Sequence, residues 1–347
     1  GDPTLKPSSV FDACHHRPCE IHATVLYCCF LAVAYVGALY VLVPSKIRKL
    51  HRDHHSQIQF RTMASLIVCG VAIGSYPYLF CDDNSNDVTG QALFSIRHIM
   101  FQPTLVTQVL LHTMMLYIGP IVAGLLRVHE IRKMDRARGK SLHSYPVEVY
   151  RQLLQPDLYS FLTPDSKHEC WQNLRNYIVA PWTEEVIFRG CMIPPLLASG
   201  LSVLQVSLLA PLFFGVAHVH HAMTRLANGE RLSSVLLITT FQFVYTCLFG
   251  SYASYAFIRS GSVLAVTMSH SFCNWMGLPD LSFVQIRHPM YQYRIILLSS
   301  FLVGTFAFKW FFKTDDLLPL PPRLAQMILF SQQSATSNDT VNRLGNN

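Results

Sequence analysis

Charge-free apolar runs recur along the chain at about 23–43, 62–80, 105–126, 191–217, 232–258, 260–279 and 295–308. Most approach the roughly 20 residues that a bilayer span requires. They predict about eight helices, at 21–43, 62–80, 104–126, 172–198, 202–221, 232–258, 260–278 and 292–312. So many long runs without charge argue against a large soluble protein with buried helices. The expected fold class is all-α, a polytopic helical membrane protein with about eight transmembrane helices. The first run follows a polar stretch of about twenty residues and shows no small-residue cleavage site before Pro44, so it reads as a span rather than a signal peptide.

The same pattern divides the chain. A polar N-terminal segment, 1–20, precedes three transmembrane helices within 21–126. The insert 127–171 opens with basic residues and carries an amphipathic stretch from Val147 to Leu162 suited to a membrane surface. A membrane core follows at 172–280, then a last transmembrane helix within 281–312. The tail 313–347 is proline-rich from Pro319 and then rich in Ser, Thr and Asn, a composition expected to be flexible. No internal repeat is visible.

Composition agrees, with 51% hydrophobic and 14% charged residues against roughly 25% charged in soluble domains. The net charge of +7 raises the question of nucleic acid, but the cations gather in two loops between spans. One holds Lys46, Arg48, Lys49, Arg52 and Arg61, the other Arg127, Arg132, Lys133, Arg136, Arg138 and Lys140. Such loops mark the cytoplasmic side. Asp82, Asp83 and Asp87 in the intervening loop fit the opposite face. This threading puts the N-terminus outside, and eight crossings return the C-terminus there, with the sequon Asn338-Asp339-Thr340 in a lumen. Cys28, Cys29, Cys69, Cys191, Cys247 and Cys273 lie in apolar runs without metal-ligand spacing and read as small buried hydrophobes. Cys14 and Cys19 can pair if they face an oxidising lumen.

Ionisable groups inside spans are costly and mark function, and three clusters break the apolar pattern. In Pro181-Trp182-Thr183-Glu184-Glu185-Val186-Ile187-Phe188-Arg189, Glu185 and Arg189 are i and i+4 and can pair. Glu184 points about 100° away and meets Phe188 four residues on, which leaves it available for proton transfer. In Phe214-Gly215-Val216-Ala217-His218, the histidine is the last position in register with its apolar run. His220 and His221 read as interfacial, and His51, His54 and His55 as a solvated loop tract. In Ser269-His270-Ser271-Phe272-Cys273-Asn274, His270 and Asn274 share a helical face, two donors able to hold an oxyanion. Taken singly, each cluster is equally explained by interhelical hydrogen bonding.

At these residues the sequence resembles the type II CAAX prenyl endopeptidases, the Ras-converting membrane proteases of the endoplasmic reticulum, within a wider family that includes bacteriocin-processing proteins. The resemblance covers roughly 170–280 and rests on Glu184-Glu185-x-x-x-Arg189, Phe214-x-x-x-His218 and His270-x-x-x-Asn274, in that order on separate spans. It implies a catalytic core in the second half of the chain and removal of the last three residues of prenylated, CaaX-terminated proteins, without a cofactor or metal. Glu184 with His218 would activate water, His270 with Asn274 would form the oxyanion pocket, and Glu185, Arg189 and Phe214 would support the site. The active site would face the cytoplasm, and the partners would be prenylated proteins and the lipid bilayer, not nucleic acid.

Rival readings keep their own signatures. A zinc protease would use two histidines and a carboxylate, but the His-Glu pair His129-Glu130 has Lys133 where a second histidine would stand. A thiol enzyme would use Cys273 with His270. A transporter or a membrane scaffold would also carry buried Glu and His.

Overall fold

A computed structural model describes residues 20–80, 103–138 and 167–313. Helices stand at all eight predicted positions: α1 Ile21–Val41, α2 His55–Phe80, α3 Pro103–Met115, α4 Ile118–Ala137, α5 Lys167–Leu174, α6 Ala180–Glu185, α7 Ile193–Ala198, α8 Val203–His218, α9 His220–Ala227, α10 Leu232–Ser260, α11 Val263–Met276 and α12 Arg294–Lys313. Among the described residues there is no strand. The chain is a polytopic helical membrane protein. Cys14 and Cys19, the stretch 147–162 and the tail with Asn338 lie outside the described residues.

Four described stretches are long and apolar enough to cross a membrane: Ile21–Val41, His55–Tyr76, Val203–Ala227 and Leu232–Ser260. The predicted span 104–126 is not one straight helix. It breaks at Leu116–Tyr117, and α3 and α4 are bent by 70°. Pro120 supplies the reason, because it has no N–H to give the Leu116 carbonyl and its ring crowds that carbonyl. The bend packs against α12, where a side chain at Gly119 would run into the Phe301 ring. At 14 residues, α11 is about 21 Å long and shorter than the roughly 30 Å hydrocarbon core.

The stretch from 167 to 198 forms the axis of the bundle. Ile187, Phe188, Met192, Ile193 and Leu196 are all buried, as expected of a helix that is apolar all round. Around it lie α1, α2, α8, α10 and α11, with α8 and α10 packed most extensively on each other. By contrast α1 turns Leu26, Phe30 and Val33 outward, a lipid-facing surface, and Cys28, Leu31 and Tyr35 inward. Local signals fix the helix ends. Ser202 and Gln205 form a reciprocal capping box that starts α8, and Ser262 caps α11 by accepting from the Ala265 N–H. Gly261, at φ 62°, ends α10 in the left-handed conformation that glycine adopts without steric cost.

Candidate active site

Two π-helical turns interrupt the central stretch, Arg175–Val179 before α6 and Val186–Cys191 after it. Each adjoins a proline that cannot donate to the preceding turn: Pro181 near the first, Pro194 and Pro195 beyond the second. Such turns shift which residues share a face and often occur at functional sites. Between them stand Glu184 and Glu185.

Glu185 is fully buried, and its Oε1 accepts two hydrogen bonds. Arg189 Nη1 donates at 3.0 Å, the predicted i,i+4 pair, and His270 Nδ1 donates at 2.7 Å from α11. The second contact corrects the sequence expectation that Glu185 serves Arg189 alone. Glu185 Oε2 is buried with no hydrogen-bond partner among the described residues. Arg189 is held on its other sides by the Gly250 carbonyl, 3.5 Å from Nη2, and by the Phe214 ring, whose centroid lies 4.7 Å from the guanidinium carbon. A Cβ at Gly250 would stand 2.9 Å from Pro211 Cβ and 3.2 Å from Arg189 Nη2, so glycine is needed for the close approach of α10.

Because His270 Nδ1 donates to a carboxylate, its Nε2 faces the other way, 3.8 Å from Glu184 Oε2. The ring packs against Phe249 and Phe214, with centroids 5.0 and 6.1 Å away. His218 Nδ1 donates to the Phe214 carbonyl at 2.8 Å, which makes Nε2 the acceptor of its neutral ring. Asn274 Nδ2 donates to the Asn176 carbonyl at 3.1 Å, tying α11 to the first π turn. That bond uses one of two amide hydrogens and leaves the second.

Glu184, His218, His270 and Asn274 all line one cavity of about 450 Å³, with Phe214, Phe249 and Tyr245 on its walls. A neighbouring cavity of about 120 Å³ shares Glu184 and His218 and extends to Tyr35, Arg61 and His220. The four predicted site residues are therefore brought together, and Glu185, Arg189 and Phe214 lie directly behind them. Cys273 also lines the larger cavity. Among the described residues no three His, Cys, Asp or Glu side chains gather as a metal-ligand set.

Other participants carried no sequence signal. Thr183, beside Glu184, bonds Tyr35 Oη at 2.9 Å and its carbonyl accepts from Cys69, which anchors the central helix to α1 and α2. Arg52 and Arg175 line both cavities. Arg175 pairs with Asp53 at 2.9 Å. Burial alone would raise the Asp53 carboxyl, but the hydrogen bond and charge of Arg175, with Arg52 nearby, hold it below the usual carboxylate range. His220, expected to be satisfied by water or headgroups, instead donates Nδ1–H to the Ala217 carbonyl at 2.6 Å and meets Tyr40 edge-on.

A family model described as type II CAAX prenyl endopeptidase Rce1-like matches residues 166–276, the stretch that holds Glu184, Glu185, Arg189, Phe214, His218, His270 and Asn274. A human protein named CAAX prenyl protease 2 is 32% identical over 285 residues, covering 81% of this chain and 77% of the relative. A protein of the same name from Arabidopsis thaliana is 34% identical over 260 residues, covering 74% and 80%. A Schizosaccharomyces pombe protein named probable CAAX prenyl protease 2 is 42% identical over 108 residues, 31% of this chain and 40% of its own length. No solved structure matches the chain. Sequence identity sustained over most of both chains, and a family model that covers the Glu-His-Asn cavity residues, make this integral membrane peptidase a member of the type II CAAX prenyl endopeptidase family.

Proposed function

We propose that the protein removes the C-terminal aaX tripeptide from prenylated CaaX proteins, with Glu184 and His218 activating the water. The observation that carries this reading is the single cavity lined by Glu184, His218, His270 and Asn274. A water between Glu184 and the acceptor Nε2 of His218 gives a proton to Glu184, and its oxygen attacks the carbonyl carbon of the prenylated cysteine. The resulting oxyanion takes hydrogen bonds from His270 Nε2 and from the second Asn274 amide hydrogen. Glu184 then returns the proton to the leaving amine as the C–N bond breaks, which yields a new cysteine carboxylate and a free tripeptide.

This scheme sets the protonation of His270. Its Nδ1–H already serves Glu185, so Nε2 donates only from the doubly protonated ring. Glu185 and Glu184 both stand close enough to stabilise that cation. The prenyl chain partitions into lipid at about 0.8 kcal/mol per methylene, which brings the scissile bond to the membrane interface. We place the protein in the endoplasmic reticulum with the cavity open to the cytoplasm, in keeping with the basic loops and with the family resemblance of its motifs.

The test is cleavage of a farnesylated CaaX peptide by purified protein in liposomes, with the tripeptide measured by mass spectrometry. Wild type should release it. Glu184→Ala, His218→Ala and His270→Ala should each fall by at least about 100-fold in kcat. Undiminished cleavage by Glu184→Ala would overturn the mechanism, and no cleavage by wild type would overturn the function.

A further inference from the structure

The water-activating pair leaves one charged wall of the cavities unexplained. Arg52 and Arg175 line both, and Arg61 lines the smaller one on the far side of Glu184 and His218. These cations are poorly compensated. Asp53 is engaged by Arg175, and neither Arg52 nor Arg61 has a carboxylate within ion-pair distance among the described residues. Arg61 Nε is buried with no hydrogen-bond partner among them, and its guanidinium carbon sits 6.0 Å from the Tyr40 ring centroid. Desolvation, and then the like charges of Arg175 and Arg61, hold the Arg52 guanidinium below the ordinary arginine range. An anion brought to this wall would relieve that repulsion.

Spacing narrows the identity of the anion. Arg52, Arg61 and Arg175 line the same cavity as Glu184 and His218, so the anion lies within one cavity of the reacting carbonyl. A tripeptide leaving group in extended form places its free carboxylate at most about 10–11 Å from the scissile carbonyl. The two cavities share Glu184 and His218 at their junction. Arg52 and Arg175 face both compartments, the larger adds Phe214, Tyr245 and Phe249, and the smaller adds Arg61. A substrate laid across that junction has an apolar end and an anionic end.

We propose that Arg52 and Arg61, held in place beside the Arg175–Asp53 pair, bind the free α-carboxylate of the substrate's last residue and so set the cut three residues from the C-terminus. The proposal rests on the endopeptidase reading and adds the feature by which that reaction recognises a chain end. Guanidinium groups suit the task because they form paired, charge-assisted hydrogen bonds with a carboxylate. Arg52 and Arg61 then act as specificity residues that touch substrate away from the reacting atoms.

The experiment compares a farnesylated CaaX peptide bearing a free C-terminal acid with the same peptide as its C-terminal carboxamide. Full-length protein is used in vesicles of neutral phosphatidylcholine, so that no anionic headgroup competes for the arginines. Wild type should prefer the acid by roughly 10–100-fold in kcat/KM. Arg52→Gln and Arg61→Gln should each shrink that ratio toward unity, and Arg52→Lys, which keeps the charge without the planar fork, should retain an intermediate ratio. Because the ratio is internal to each variant, partial loss of folded protein does not move it. Equal cleavage of acid and amide by wild type would overturn the carboxylate site and leave the endopeptidase reading standing. A preference unchanged in both Gln variants would likewise remove these residues from the role. Failure of wild type to cleave either peptide would overturn both readings.

Discussion

Glu184 and Glu185 are neighbours in sequence, yet their surroundings predict opposite consequences when each is changed to glutamine. Glu185 is buried, and its Oε1 accepts from Arg189 at 3.0 Å and from His270 at 2.7 Å. Glu185→Gln conserves volume but removes the negative charge, leaving the Arg189 guanidinium buried and uncompensated. Breaking a buried ion pair from one side costs about 3–5 kcal/mol. For a chain of this size that corresponds to a fall on the order of 10 °C in Tm. Glu184 stands 3.8 Å from His270 Nε2 and lines the cavity, so Glu184→Gln should cost under about 1 kcal/mol. Activity should fall in both variants, and at least about 100-fold in Glu184→Gln. Thermal unfolding in detergent, followed by intrinsic fluorescence alongside peptide cleavage, separates the two. A second comparison isolates the charge: Glu185→Gln with Arg189→Met should be more stable than Glu185→Gln alone, because the stranded cation is gone. Equal Tm values for Glu184→Gln and Glu185→Gln would refute the division of roles, as would a double variant less stable than the single.

Gly250→Ala should destabilise by about 1–3 kcal/mol and reduce cleavage, because its Cβ would press on Pro211 and on Arg189; unfolding and activity measured on one preparation check it. Asn274→Ala should lower kcat by roughly 10–100-fold with little change in KM, since it removes a donor to the oxyanion and not a substrate anchor; steady-state kinetics decide it. Cys273→Ser should keep cleavage within a few-fold of wild type although Cys273 lines the cavity, and a loss of several orders of magnitude would revive the thiol reading. Asp53→Asn should cost about 0.5–1 kcal/mol at neutral pH. The Asp53 carboxyl is depressed in the folded state, so that contribution is present above its unfolded value near 3.9 and lost as pH falls through the lower folded value; denaturant unfolding at pH 7 and pH 3 should show the gap between variant and wild type close.

Local features were legible in the sequence, and those created by docking one helix on another were not. The Glu185–Arg189 pair joins residues four positions apart, and the structure contains it. The Glu185–His270 bond joins residues 85 positions apart, and no periodicity encodes it. One signal did exist. Glu184 and Glu185 have one arginine, Arg189, within five positions, which leaves a negative charge in a low-dielectric setting, and a histidine on a facing helix is a group able to offset it. The π turns were hidden for a different reason. An apolar run with prolines at 181, 194 and 195 reads as punctuated helix, while the extra residue per turn, which changes the face that Glu184 and Arg175 present, follows from how tertiary packing accommodates the lost donors.

Charge within the cavity also explains why two adjacent glutamates are needed rather than one. With both ionised, Arg189 cationic and His270 doubly protonated, the four groups sum to zero, the arrangement least penalised by burial. In the proposed attack Glu184 gains a proton and becomes neutral, and at the same moment the oxyanion appears beside His270. The sum is zero again, so in the proposed scheme the tetrahedral intermediate forms without a change in the net charge of the site. Had Glu185 been apolar, the same step would start from a net positive site and His270 would lose the acceptor that orients its ring through Nδ1. Had Glu184 been apolar, the site would again carry excess positive charge and water would have no base. The proposed mechanism therefore gives the two carboxylates separate tasks, with buried Glu185 as a fixed acceptor for Arg189 and His270 and cavity-lining Glu184 as the proton carrier.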